Sequence, residues 1–284
     1  MHPTLIELGP ITLNSYGVMI AIAFVTALAL SIQGGKRYNI SAEFFNNIAF
    51  WGLIVGIAGT RVLHIAMFPH NYSWSDPIGW IAIWRGGLVF QGAVPPVLLF
   101  IYLYCRKHGV SFRNFCDVLI PIVPLGHAIG RLGCFLNGCC YGRVSESALA
   151  VRFPRIPEDL SVSPQGSPAY LDHLRQSLID VGDLWSLPVH PSQLYSFGAL
   201  LALSALVWLV ARRRPFPGVA LPAYFVGYGI LRFILEFFRG DHNPAHFGAA
   251  LSDQQVFSLL FVLTGVVIGY FMWRRHKREH NPAT

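Results

Sequence analysis

Residues 115–137 read FCDVLIPIVPLGHAIGRLGCFLN, and whether this stretch crosses a membrane decides the fold. It is apolar and has the length of a bilayer span, ~17–25 residues, yet prolines and glycines interrupt it. Six other apolar blocks of similar length lie roughly at 14–33, 44–66, 88–104, 190–211, 217–238 and 252–273. With 115–137 counted there are seven spans and the termini lie on opposite sides. Without it there are six, and both ends share a side.

The basic residues select seven. Twelve of the 21 lysines and arginines, among them Lys36, Arg37, Arg106, Lys107, Arg212–Arg214 and Arg274–Arg278, fall in one set of alternate short segments. Six fall on the opposite side, mostly in one long connection, and Arg61, Arg131 and Arg232 lie inside or at the edge of apolar blocks. The positive-inside rule then puts the C-terminus in the cytoplasm and the N-terminus outside. The expected fold is an all-α polytopic membrane protein.

Composition agrees. Of 284 residues, 54% are hydrophobic and 12% charged, against about 25% charged in a soluble domain. The spans leave little chain for a separate soluble domain, so 1–284 reads as one membrane domain with an outer-side loop inserted at about 144–189. Within that loop, 169–179 is a candidate short amphipathic helix or else part of a solvated connection. The net charge of +7 follows topology and is no nucleic-acid signal. The first ten residues carry no basic cluster, so the first block is expected to be an uncleaved helix.

Five cysteines, at 105, 116, 134, 139 and 140, show no disulfide framework. Cys134, Cys139 and Cys140 are a conceivable metal set. Their spacing is not the paired pattern of zinc sites, so small packing residues are the preferred reading and no metal site is expected.

An arginine at the bilayer centre costs roughly 2.5–3.5 kcal/mol on insertion scales, so Arg61, Arg131 and Arg232 each need a reason. In the sixth block Tyr228, Arg232, Glu236 and Arg239 recur at intervals of four, four and three. They share one helical face, with i,i+4 and i,i+3 pairing between charges. Such a stripe is either a buried ion-pair network or an anion site. Two further embedded arginines favour an anion, and guanidiniums grip phosphate through paired hydrogen bonds. In a membrane that phosphate belongs to a lipid head group.

The fourth block ends in GRLGCFLNGCCYGR, residues 130–143, with glycines at 130, 133, 138 and 142. Glycine costs ~1 kcal/mol relative to alanine in a helix, so the segment is expected to open into a loop at membrane depth, lining a cavity with Arg131 and Asn137. Two further junctions, WRGGLVFQG around Gln91 and HPSQLY from His190 through Gln193 to Tyr195, bring polar groups to the same outer side. Pro191 suits a first helical turn, and His190 is either a helix-start residue or a proton-transfer group. Polar groups from four spans at one depth indicate a site.

These residues resemble the bacterial prolipoprotein diacylglyceryl transferase family. The similarity runs from Ser15-Tyr16-Gly17 through Gly59–Arg61, Gly86-Gly87-Leu88, Gly130–Arg143 and His190–Tyr195 to Gly227–Arg239. The resemblance implies a multi-pass enzyme of the bacterial cytoplasmic membrane. It would move the diacylglyceryl group of phosphatidylglycerol to the thiol of a prolipoprotein's lipobox cysteine, forming a thioether and releasing glycerol phosphate, with no metal or cofactor. It assigns Arg131 to phosphatidylglycerol binding and makes Arg232 essential, with Tyr16, Asn137, Gly142, Tyr228, Glu236 and Arg239 in support. Gln91 stands where some members carry a histidine proposed as a base, and glutamine accepts no proton at neutral pH.

The chemistry expected is displacement at the glycerol carbon. Arg131 and Arg232 stabilise charge on the departing phosphate, and Glu236 orients Arg232. A free thiol titrates near about 8.5, so a small fraction is thiolate at neutral pH and nearby guanidiniums raise it. Glu236, His190 and the lipid phosphate stay open as proton acceptors. A lipid or anion transporter and a non-catalytic lipid-binding relative are the alternatives.

Overall fold

The computed structural model describes residues 4–8, 11–73, 75–155, 167–240 and 251–280. A two-stranded antiparallel hairpin, β1 (Thr4–Leu8) and β2 (Ile11–Asn14), precedes the helices. The helices are α1 (Ser15–Gly35), α2 (Ala42–Met67), α3 (Val94–Lys107), α4 (Phe112–Leu119), α5 (Ile122–Asn137), α6 (Pro168–Arg175), α7 (Ser192–Arg213), α8 (Ala220–Glu236) and α9 (Asp253–His280).

Among the described residues, five segments are long and apolar enough to cross a bilayer: Ser15–Tyr38, Ala42–Met67, Phe112–Asn137, Ser192–Arg213 and Asp253–Glu279. The doubtful fourth block is among them, built as α4 and α5 with a break at Ile120 and Pro121. The third and sixth blocks are shorter than the apolar runs suggested. Apolar residues begin at Leu88, but α3 starts only at Val94, after a 3₁₀ turn over Phe90–Ala93. Pro95 and Pro96 supply no amide for a preceding turn, which places them in the helix's first turn. Helix α8 has 17 residues, about 25 Å at 1.5 Å per residue.

Backbone packing divides the chain into two compact units, residues 1–27 with 116–284, and Leu28–Phe115. In the first, α7 packs on both α5 and α8, and α8 packs on α9. Leu203, Val207, Ala211 and Ala220 form a buried core there. Asp117 accepts from the amides of Gly218 at 2.8 Å and Ala220 at 3.1 Å, which holds the entry to α8. In the second unit, α2 packs on α3, and Phe44, Phe45 and Phe115 meet ring to ring.

The loop predicted at 144–189 is folded; its residues 156–166 lie outside the described set. Helix α6 occupies the first part of the expected amphipathic stretch, capped by Ser167 Oγ on the Tyr170 amide. Tyr141, Phe153, Ala169 and Val189 close a small core beneath it. The Tyr141 hydroxyl donates to Asp172 Oδ2 at 2.7 Å, tying the loop back to the end of the fourth block.

Candidate functional site

The interior of α5 is more regular than its glycines suggested. The helix runs unbroken through Gly130 and Gly133 to Asn137. A Cβ on Gly133 would come 3.1 Å from Met19 Cβ and from the Tyr16 ring, and one on Gly130 would come 3.6 Å from Ile20. These glycines let α1 and α5 approach closely, the role of small residues between membrane helices. The predicted loop opens one turn later, where Gly138 takes the left-handed cap conformation (φ 75°).

Four predicted residues line one cavity. Arg131 from α5, Tyr228 and Arg232 from α8, and Arg239 just beyond α8 meet there with His127, Ser196, Leu200, Leu231 and Leu235. The space between these side chains, counted out into open solvent, is about 260 Å³. His127 and Arg131 stand one turn apart on α5, and the His127 ring lies 5.9 Å from that of Tyr228. Among the described residues the lining carries three guanidiniums and no carboxylate. Arg131 Nε is buried without a hydrogen-bond partner among the described residues.

Glu236 sits behind this lining, 3% exposed. Its Oε2 takes an ion pair with Arg232 Nη1, and its Oε1 accepts from Ser252 Oγ at 2.7 Å. The carboxylate is thus fixed from both sides, and the Arg232 guanidinium is aimed by its own helix.

Arg239 is placed by backbone rather than by helix. Three segments, 141–143, 189–190 and 238–240, exchange main-chain hydrogen bonds: Gly142 N to His190 O at 2.9 Å, Arg143 N to Phe238 O at 3.0 Å, and Gly240 N to Tyr141 O at 3.2 Å. Arg143 Nε donates to Arg239 O at 3.1 Å. A Cβ on Gly142 would lie 2.5 Å from His190 O and 2.6 Å from Phe238 O, so glycine is needed at this crossing. His190 Nδ1 lies 3.3 Å from the Tyr195 hydroxyl, and its ring faces Phe238.

Gln193 and Ser192 open α7 and are fully buried. Gln193 Nε2 donates to Cys139 O at 2.8 Å and Ser192 Oγ to Cys140 O at 2.7 Å, pinning the loop after α5. Gln193 Oε1 has no partner among the described residues. Asn137 is the last residue of α5. Tyr16 is 44% exposed and lies in electrostatic reach of Arg131 and of Cys134, Cys139 and Cys140.

The remaining candidates belong to the second unit. Arg61 is 8% exposed, and its donors are already engaged by backbone carbonyls: Nε to Trp80 at 3.1 Å, Nη1 to Gly86 at 2.7 Å and Gly87 at 2.9 Å, and Nη2 to Gly79. Its guanidinium also stands over the Tyr72 ring at 5.0 Å. That explains a charge at membrane depth without a ligand: Arg61 organises the loop between α2 and α3. Gln91 is exposed in the 3₁₀ turn before α3.

Sequence reasoning passed over His127, Ser196 and Ser252. His127 has a visible signal, its i,i+4 relation to Arg131. Ser252 has none, because its partner lies sixteen residues away across segment 241–250, which is outside the described residues.

Comparison with known proteins agrees along nearly the whole chain. The family profile described as prolipoprotein diacylglyceryl transferase matches residues 3–271. Proteins named phosphatidylglycerol–prolipoprotein diacylglyceryl transferase include one from Psychrobacter arcticus, 31% identical over 96% of this chain and 94% of the relative. Another, from Dechloromonas aromatica, is 32% identical over 96% of each. A third, from Neisseria meningitidis, is 30% identical over 96% of this chain and 97% of the relative.

Proposed function

Because the chain belongs to the prolipoprotein diacylglyceryl transferase family, we propose that the cavity lined by Arg131, Arg232 and Arg239 holds the phosphate of phosphatidylglycerol during transfer. The protein is a membrane transferase that moves a diacylglyceryl group from phosphatidylglycerol to prolipoproteins. The acceptor is read as the thiol of a lipobox cysteine beside a signal peptide.

One observation carries the reading: three guanidiniums, from Arg131, Arg232 and Arg239, converge on one small cavity. The charge of this lining suits a phosphate head group, with acyl chains left in lipid. Fixed cationic donors at low dielectric stabilise the charge that grows on phosphate as the glycerol C–O bond breaks. Glu236 holds Arg232 in register for that contact. Tyr228 and His127 face the same space and are candidates for hydrogen bonds to the head group. Gly142 and His190 belong to the backbone crossing that sets Arg239, Gln193 pins the loop after α5, and Asn137 and Tyr16 are further candidates for contact with the lipid. Arg61 and Gln91 take supporting places in their own unit.

The same reading completes the membrane arrangement. Helices α3 and α8 supply the third and sixth of seven crossings, the N-terminus lies outside and the C-terminus in the cytoplasm, and the membrane is the bacterial cytoplasmic one. The distribution of basic residues supports this orientation. A transporter would also use membrane arginines, but the named relatives give that reading no support.

The test uses phosphatidylglycerol labelled in its head-group glycerol, in vesicles with the purified protein. Release of labelled glycerol phosphate that depends on a thiol-bearing lipobox peptide supports the reading. Release that proceeds equally with a serine peptide overturns it.

A further inference from the structure

The reacting carbon of the lipid is joined through one ester oxygen to the phosphate. A thiol that attacks this carbon while the arginines hold the phosphate must therefore lose its proton beside the same lining. Most of that lining cannot take one. Guanidiniums only donate, and the leucines carry no polar atom. The Ser196 hydroxyl is committed to Ser192 O at 2.7 Å. A phenol, as on Tyr228, already carries its proton at neutral pH. Among the described residues this leaves His127, one turn before Arg131 on α5.

The other protein groups that could accept the proton are engaged elsewhere. Glu236 is 3% exposed, with one oxygen on Arg232 and the other on Ser252. His190 is not part of the lining. Its Nδ1 lies 3.3 Å from the Tyr195 hydroxyl, and its ring meets Phe238 edge to face at 5.6 Å. His127 has no such ties. Among the described residues neither of its ring nitrogens makes a hydrogen bond, and its ring neighbour is Tyr228 at 5.9 Å. Imidazole is also the side chain whose ordinary ionisation lies closest to neutral pH, so it can take a proton and return it within one turnover.

We propose that His127 accepts the proton of the prolipoprotein's cysteine thiol. The inference rests on the transfer reading above. An imidazole nitrogen takes the S–H proton, and the sulfur's electron pair attacks the glycerol carbon that bears the phosphate. A C–S bond forms, and the C–O bond breaks with its electron pair passing to phosphate oxygen. The imidazolium then gives its proton to the departing glycerol phosphate, which restores the neutral ring. The i,i+4 relation of His127 to Arg131 sets base and leaving-group contact side by side on one helix face. A free thiol titrating near about 8.5 is only a few per cent ionised at pH 7. A base can therefore raise the reactive fraction by at most about 30-fold there. A selenol is ionised at neutral pH without help.

That difference supplies the experiment. Full-length wild type and His127→Gln, in phosphatidylglycerol vesicles at pH 7 under reducing conditions, are given two lipobox peptides that differ only in cysteine or selenocysteine. Glutamine keeps a hydrogen-bond donor for phosphate but accepts no proton. Lipidated product is followed by mass. The ratio of cysteine to selenocysteine transfer should fall about 10–30-fold in the variant, the loss that thiol ionisation allows. His127→Asn, measured alongside and checked by melting temperature, should show the same drop and guards against a folding defect of either variant. An unchanged ratio overturns the inference. If both rates fall together, His127 is a head-group ligand or a wall residue; if neither falls, the lipid phosphate takes the proton itself. Wild type that lipidates neither peptide would sink the transfer reading, whereas wild type that lipidates both while the variant ratio holds sinks only the role of His127.

Discussion

Arg232 and Glu236 stand one helical turn apart on α8 and share an ion pair, with side chains 13% and 3% exposed. Ser252, at the start of α9, donates to the carboxylate oxygen that Arg232 leaves free. The pair is therefore a fixture of the cavity wall. Its cationic half faces the cavity and its anionic half lies behind.

Removing one partner of a buried pair costs ~3–5 kcal/mol, whereas replacing both by apolar residues is often neutral. Glu236→Ala should therefore lower thermal stability in detergent by about 3 kcal/mol. Arg232→Met combined with Glu236→Leu should recover most of that loss, yet neither variant should transfer lipid. Equal destabilisation by the single and double variants would contradict the pairing.

Arg232→Lys keeps the charge but loses the planar fork. If the guanidinium grips departing phosphate, transfer in vesicles should fall by about 100-fold, with the melting temperature little changed. Wild-type rates from this variant would remove Arg232 from the chemistry.

Gly142→Ala tests the three-segment crossing. The new methyl would lie 2.5 Å from His190 O and 2.6 Å from Phe238 O, and backbone cannot yield as a side chain can. A loss of ~1–3 kcal/mol is expected, together with loss of transfer as Arg239 shifts. Gly198→Ala, inside α7 with nothing within 4 Å of the added atom, serves as the control and should be at least as stable as the wild type, by up to ~1 kcal/mol.

The outer loop should respond to acid. Burial pushes His173 below its ordinary value of about 6.5, and its Nδ1 accepts from the Leu187 amide at 3.2 Å, which requires the neutral ring. Unfolded chain then binds more protons than folded chain as pH drops below about 6.5, so the stabilisation is present above that value and fades beneath it. Amide protection in residues 168–189, taken relative to the intrinsic exchange rate at each pH, should fall between pH 7.5 and 5.5. His173→Asn should flatten that dependence. An unchanged profile in the variant would assign the effect to another group.

Much of this was legible in the sequence, for reasons particular elements make plain. The blocks at 14–33, 44–66, 190–211 and 252–273 end within a few residues of helices α1, α2, α7 and α9, except that α9 runs seven residues further, through the basic stretch. Hydropathy reports burial in lipid directly. The Tyr228–Arg232–Glu236 stripe was readable because local spacing fixes a helical face. Three things were hidden. Pro95 and Pro96 moved the start of α3, which an apolar count cannot register. The hairpin before α1 is short and carries no period of its own. The crossing of 142, 190 and 238, like the meeting of Ser252 with Glu236, joins residues whose separation in the chain leaves no mark in local sequence. The three cysteines were visible as residues, but the meeting of their thiols within 4.8 Å needed the left-handed turn at Gly138 and Cys140.

The most direct test of the account is the mass of a lipobox peptide after incubation with purified protein and phosphatidylglycerol. A gain equal to one diacylglyceryl group on the cysteine is expected with the wild type. It should be absent with a serine peptide and about 100-fold slower with Arg131→Ala or Arg232→Lys. An unmodified peptide with the wild type, or undiminished transfer by both arginine variants, would contradict it.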